Sequence, residues 1–238
     1  MSRSTAAALP IPTTPAQIRN VVLVGPSGGG KSTLFGRLVY GELLRRKEDE
    51  GASTSLRVAT IGHEDLAITL LDTPGATDFV GEVRAALRAA DAALFVIAAG
   101  GSVDEATRML WRECAAVGMP RAVALTKLEQ CQDDYATVVE ACRRAFGDAQ
   151  PLQVPILRGE KVIGLIDLLG AEIHGPDGEV QGAPDSEQLA VIEELRGGVV
   201  EAIIEGSEDE SALDRYLSGA DLDADTLRED LKAAIATA

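Results

Sequence analysis

The sequence predicts an α/β fold, a doubly wound and mostly parallel sheet. Three observations carry that expectation. Apolar runs at residues 21–24, 92–99 and 121–126 alternate with helical stretches, the order expected of parallel strands. The first run leads into Gly25-Pro26-Ser27-Gly28-Gly29-Gly30-Lys31-Ser32, which fits the spacing G-x-x-x-x-G-K-[ST] of a phosphate-binding loop between a strand and a helix. Asp72-Thr73-Pro74-Gly75 closes a later strand, and ligands of open α/β sheets sit at the carboxyl ends of the strands. With 238 residues, 46% of them apolar, the chain can bury the core that such a sheet needs.

Each element has its own signal. Residues 1–17 carry Pro10, Pro12 and Pro15 and no continuous apolar stretch, so they read as a disordered arm rather than a signal peptide. Residues 21–24 form the first strand and 33–39 the helix after the glycine loop. Residues 41–55 include Arg45-Arg46-Lys47-Glu48-Asp49-Glu50 and show no apolar period, which predicts a loop or a frayed helix end. Residues 56–61 and 66–71 alternate apolar and polar around Gly62-His63-Glu64-Asp65, a hairpin pattern. A helix is expected from Asp78, with Phe79, Val80, Val83 and Leu87 on one face. Residues 92–99 form a buried strand. Ser102 and Glu105 have capping-box spacing, and Gly118 ends the helix that they start. Residues 121–126 form another buried strand, and Tyr135, Val139, Cys142 and Phe146 mark the next helical face. After Pro151, residues 152–157 and 161–167 read as two strands about Arg158-Gly159-Glu160. A loop rich in Gly and Pro follows, and the remainder is helical, with Leu227, Leu231 and Ile235 in step.

Composition narrows the function. A net charge of −16 and a pI near 4.5 argue against non-specific nucleic-acid binding through a broad basic face. The acidic run of the last quarter reads as a solvated helix face. Cys114, Cys131 and Cys142 lack metal-ligand spacing and read as reduced thiols. His63 and His174 have no partner motif and are expected in loops. No stretch is long enough to span a membrane. The expected state is a cytoplasmic monomer.

The chemistry concentrates on the glycine loop. A strand, a tight turn and a helix start aim backbone N–H groups at one point, and the positive end of the helix dipole favours an anion there. Lys31 is placed to neutralise phosphates, with Gly25, Pro26, Ser27, Gly28, Gly29 and Gly30 as the cradle. The Ser32 hydroxyl and the Asp72 carboxylate are candidate Mg²⁺ partners, Asp72 through water. Gly75 can bring its N–H to a terminal phosphate because no Cβ intervenes.

The segments 25–33 (GPSGGGKST), 72–99, 110–129 and 205–219 together resemble the GTPase domain of elongation factor G. They are most similar to the elongation-factor-G-like paralogues of actinobacteria. The resemblance covers residues 18–238, with a gap in the first switch. It implies a P-loop NTPase fold with a core at 18–150, a small inserted α/β subdomain at 151–187 and a helical remainder at 188–238. It implies GTP or GDP with Mg²⁺ as ligands, the ribosome as partner, and Thr33 near the α-phosphate. Thr126-Lys127-Leu128-Glu129 stands where guanine-binding relatives carry N-K-x-D, which assigns Thr126, Lys127 and Glu129 to the base.

Several departures accompany the resemblance. Ala76 stands where the family has a water-orienting His. Counting back from Asp72 without gaps, Ser53 falls on the Thr that closes over Mg²⁺. Thr126 and Glu129 replace Asn and Asp. The chain ends at Ala238, about where the family's next guanine-contacting segment begins, so a fragment or a degenerate nucleotide domain is expected. The implied activity is slow GTP hydrolysis, with Lys31, Asp72 and Gly75 at the reacting end. The alternative is a nucleotide-dependent binding module that does not hydrolyse. An ATPase of another P-loop family is disfavoured by the placement of Asp72-Thr73-Pro74-Gly75.

Overall fold

The structure is a computed structural model that describes residues 10–41, 54–131, 133–147, 149–159, 161–206, 216 and 223–237. It divides into two compact units, Met1–Lys127 and Leu128–Ala238.

The first unit is built on a five-stranded sheet of β1 (Ile18–Val24), β2 (Arg57–His63), β3 (Leu66–Asp72), β4 (Ala92–Ala98) and β5 (Arg121–Thr126), in the order β2-β3-β1-β4-β5. All pairings are parallel except the β2–β3 hairpin. Central parallel strands are buried on both sides and need continuous apolar runs. Val22, Leu23 and Val24 of β1 and Phe95, Val96 and Ile97 of β4 accordingly lie at 0–2% exposure. The helices are α1 (Lys31–Tyr40), α2 (Val80–Leu87) and α3 (Glu105–Ala116). Phe35 on α1 packs with Leu23, Leu70 and Val96 in one cluster.

The second unit contains α4 (Tyr135–Phe146), a three-stranded antiparallel sheet of β6 (Gln153–Arg158), β7 (Lys161–Asp167) and β8 (Glu172–His174), then α5 (Ser186–Gly206) and α6 (Ala224–Thr237). Val154, Ile166 and Leu168 share a core with Ile192, Val199 and Ile203 of α5 and Leu227 of α6. Leu168 and Leu227 are fully buried, and each such side chain contributes about 1.5–3 kcal/mol of transfer free energy.

Several local expectations change. The start of α3 is capped by Asp104, whose carboxylate accepts from the Thr107 N–H at 2.7 Å, not by Ser102. The chain after Ala76 first makes a 3-10 turn, Thr77–Phe79, and α2 begins at Val80, burying Val83, Ala86 and Leu87. The strand at 121–126 is only partly buried because it closes one edge of the sheet. α4 buries Val138, Val139 and Phe146, while Tyr135 and Cys142 are half-buried. His63 ends β2 and His174 ends β8, so neither is a loop residue. Strand β8 had no sequence signal beyond the glycine- and proline-rich composition. Within 1–17, Pro15–Gln17 form a 3-10 turn held by the Gln17 carboxamide, which accepts from the Thr13 N–H at 2.8 Å. Residues 1–9, Ser53 and most of the acidic run beyond Gly206 lie outside the described residues.

Candidate functional site

The glycine loop joins β1 to α1 at the carboxyl end of the sheet, as its sequence requires. Gly25 has φ +145°, and a Cβ there would overlap the Val96 carbonyl oxygen, so the loop lies directly on β4. Gly30 precedes α1 in a left-handed conformation without any side-chain cap. The first N–H groups of α1 are therefore left for another acceptor, the arrangement that serves anions.

Lys31 is buried at 5% exposure, and its Nζ donates to the Gly25 and Pro26 carbonyls at 2.7 and 3.0 Å. Burial pushes this ammonium below the usual lysine value, while the negative charges of Asp72 and then Asp104 oppose the shift. A cation held over the loop by backbone oxygens and short of full solvation is poised for phosphate oxygens.

Asp72 ends β3 and is fully buried. Its Oδ2 accepts from Ser32 Oγ at 2.9 Å and from Arg57 Nε and Nη2 at 3.1 and 2.7 Å. Its Oδ1 is buried and has no hydrogen-bond partner among the described residues. Thr73 anchors the segment through a 2.6 Å bond from its hydroxyl to the Leu23 carbonyl. A hydroxyl and a carboxylate in contact, with one carboxylate oxygen still unsatisfied, suit a hard divalent cation that takes oxygen ligands. Ser32 and Asp72 thus fit Mg²⁺. Ser53, expected with them, lies outside the described residues.

Gly75 presses against the loop. A Cβ there would overlap Lys31 Nζ and stand 2.8 Å from the Ser27 nitrogen. A cleft of about 440 Å³ opens beside it, lined by Ser27, Gly28, Gly75, Ala76, Ser102 and Asp104 among others. Ala76 offers this cleft only a methyl group.

Thr126, at the end of β5, donates its hydroxyl to the Gly29 carbonyl at 2.7 Å and so braces the glycine loop. Lys127 follows in a left-handed conformation, φ 55°, and is exposed. Thr33 is exposed on α1. Glu129 is exposed in the 3-10 turn Leu128–Gln130 of the second unit, where its Oε1 accepts from the neighbouring Gln130 amide at 3.3 Å. The structure therefore gathers Gly25, Pro26, Ser27, Gly28, Gly29, Gly30, Lys31, Ser32, Asp72, Gly75 and Thr126 within one unit. Arg57 and Asp104 were missed by sequence reasoning. Asp104 gave a signal in the capping pattern. Arg57 gave none, because the alternating pattern leaves the hairpin register open.

Residues 16–208 match the family described as the elongation factor Tu GTP binding domain. An elongation factor G-like protein of Mycobacterium tuberculosis is 45% identical over 250 aligned residues, covering 97% of this chain and 34% of the relative. Elongation factor G 1 of Treponema denticola is 26% identical over 92% of this chain and 35% of its own length. The chain thus spans about a third of the length of the curated relatives that it matches. A crystal structure from Thermus thermophilus superposes with a TM-score of 0.78 at 33% identity, over 92% of this chain and 36% of that one.

Proposed function

Because the chain belongs to the family of the elongation factor Tu GTP binding domain, we propose that it binds GTP and GDP with Mg²⁺ and hydrolyses GTP slowly by itself. The observation that carries the reading is the meeting of Lys31, Ser32 and Asp72 at an uncapped helix start, with Asp72 Oδ1 left unsatisfied. Lys31 neutralises the β- and γ-phosphates, and the loop from Gly25 to Gly30 cradles them through backbone N–H groups. Ser32 and Asp72 would hold Mg²⁺, which would offset the charge of the phosphates. Gly75 brings its N–H to the γ-phosphate, Thr33 approaches the α-phosphate, and Lys127 and Glu129 take the guanine. Residues 151–187 form the inserted subdomain, and the partner is the ribosome, in the cytoplasm. Slow turnover follows from Ala76, whose methyl can neither orient nor polarise a water.

The same alanine favours a second reading, a nucleotide-dependent binding module without hydrolysis. Titration with labelled GDP, GTP and ATP, followed by single-turnover hydrolysis with and without ribosomes, separates them. Tight GTP and GDP binding with slow release of phosphate is expected. A protein that binds none of the three, or binds ATP as well as GTP, overturns the guanine reading. Loss of the preference for GTP over ATP in Glu129→Ala tests the base contact directly.

A further inference from the structure

We propose that Arg57 is a resident cation of the nucleotide site, which holds the Asp72 carboxylate in competition with Mg²⁺ and so makes nucleotide binding only weakly dependent on the metal. The inference rests on the reading of Ser32 and Asp72 as the Mg²⁺ side chains.

Three observations on different elements place this arginine. In the β2–β3 hairpin, Arg57 lies directly opposite Asp72. Its guanidinium gives two hydrogen bonds to Asp72 Oδ2, the same oxygen that receives the Ser32 hydroxyl. From α1, the buried ring of Phe35 lies 5.2 Å below the guanidinium carbon, a cation–π contact that holds the plane in place. The arginine side chain is 34% exposed and the aspartate 0%, so the attraction acts across a partly dry gap. A guanidinium is permanently charged, planar and weakly hydrated, which suits this position better than an ammonium would.

The chemical consequence concerns charge. Mg²⁺ sheds water reluctantly and relies on one or two carboxylates together with phosphate oxygens. At this site the carboxylate already has a monovalent counter-ion, whose charge opposes a second cation. Without metal, Arg57 keeps Asp72 neutralised, so the buried carboxylate does not repel the incoming phosphates. Metal removal therefore costs little affinity. With Arg57 replaced by a neutral residue, Asp72 repels phosphate unless Mg²⁺ is present, and Mg²⁺ meets no competitor.

The test is calorimetric titration of GDP into the full chain, stripped of nucleotide, in MgCl₂ and in EDTA. The quantity read is the ratio of the two affinities. Arg57→Gln is expected to raise that ratio about tenfold or more over the unmodified protein, through weaker binding in EDTA and tighter binding in MgCl₂. Arg57→Lys keeps a positive charge beside Asp72 and guards against a glutamine variant that does not fold. Its ratio is expected to fall between the other two, because an ammonium lacks the planar fork. An unchanged ratio in the folded variants, with GDP still binding, overturns this inference alone. A cooperatively folded, unmodified protein that binds GDP in neither buffer overturns it together with the nucleotide reading.

Discussion

Asp72 in the first unit and Asp167 in the second each accept from an arginine Nη2, at 2.7 and 2.8 Å. The two carboxylates are otherwise unlike. Asp167 Oδ2 also accepts from the Gly170 N–H, and Oδ1 from the Leu169 N–H, each at 3.2 Å, so both oxygens are satisfied. It is 14% exposed, and Arg228 reaches from α6 to bind it, tying β7 to the last helix. Asp72 is fully buried and leaves Oδ1 without a partner among the described residues. An unsatisfied buried oxygen costs about 1–3 kcal/mol. At Asp72 a bound cation would offset that cost. Ion-pair length therefore does not separate these two carboxylates; their remaining hydrogen-bond capacity does. The same contrast explains why Asp167, Glu172 and His174, whose ligand atoms lie within 4.8 Å of one another, read as structural. Both Asp167 oxygens already accept backbone N–H groups, and Arg228 also stands 2.8 Å from Asp167 and 3.9 Å from Glu172.

The largest effect expected is on Lys31. Lys31→Ala removes the loop's buried cation and should weaken GDP binding by about 100-fold or more while leaving the unfolding transition intact. Unchanged GDP affinity, measured by calorimetry, breaks the assignment of the first unit. The comparison itself is tested by a crossed pair. Asp72→Asn should weaken GDP binding in MgCl₂ by about a few-fold and shift stability by less than about 1 kcal/mol, because the amide oxygen can still accept from Ser32 and Arg57 while the desolvation cost of a buried charge is removed. Asp167→Asn should do the reverse, costing about 1–2 kcal/mol in urea unfolding with GDP affinity unchanged. If Asp167→Asn weakens binding as much as Asp72→Asn does, the division between site and strut is wrong.

Ala76→His should raise ribosome-stimulated GTP hydrolysis several-fold above the slow rate proposed for the unmodified protein, read by phosphate release in single turnover. Rapid turnover by the unmodified protein points instead to another group in the cleft, where Ser102 and Asp104 stand. The smallest effect concerns pH in the second unit. Desolvation pushes the Tyr135 hydroxyl up to about 12, and the group donates to the Gln153 carbonyl at 2.7 Å. Its folded pKa lies above the unfolded value of 10, so its contribution is fully present below pH 10 and is lost as pH rises towards 12. The stability difference between the unmodified protein and Tyr135→Phe should therefore shrink across that window. A difference that stays constant to pH 12 removes the desolvation account.

The sequence by itself determined the parallel sheet, the loop from Gly25 to Gly30 and the position of Asp72, because each rests on short-range rules. Periodicity marks the strands, and the fixed spacing of glycine, lysine and serine builds the turn. It also located β6 and β7 and the helices that share a core with them. It did not place Arg57. A four-residue turn over 62–65 pairs Arg57 with Leu70, whereas the structure makes a tighter turn, with Glu64 in a left-handed conformation and His63 opposite Leu66. That change of register moves Arg57 two residues along β3, onto Asp72. The alternating pattern is identical in both registers, since side chains repeat with period two and a shift of two keeps every face. Only the packed sheet, with Phe35 of α1 under the guanidinium and Ser32 on the same carboxylate oxygen, distinguishes them. The bracing of the glycine loop by Thr126 was decided in the same way, by a hydrogen bond between residues far apart in the chain that no local pattern encodes.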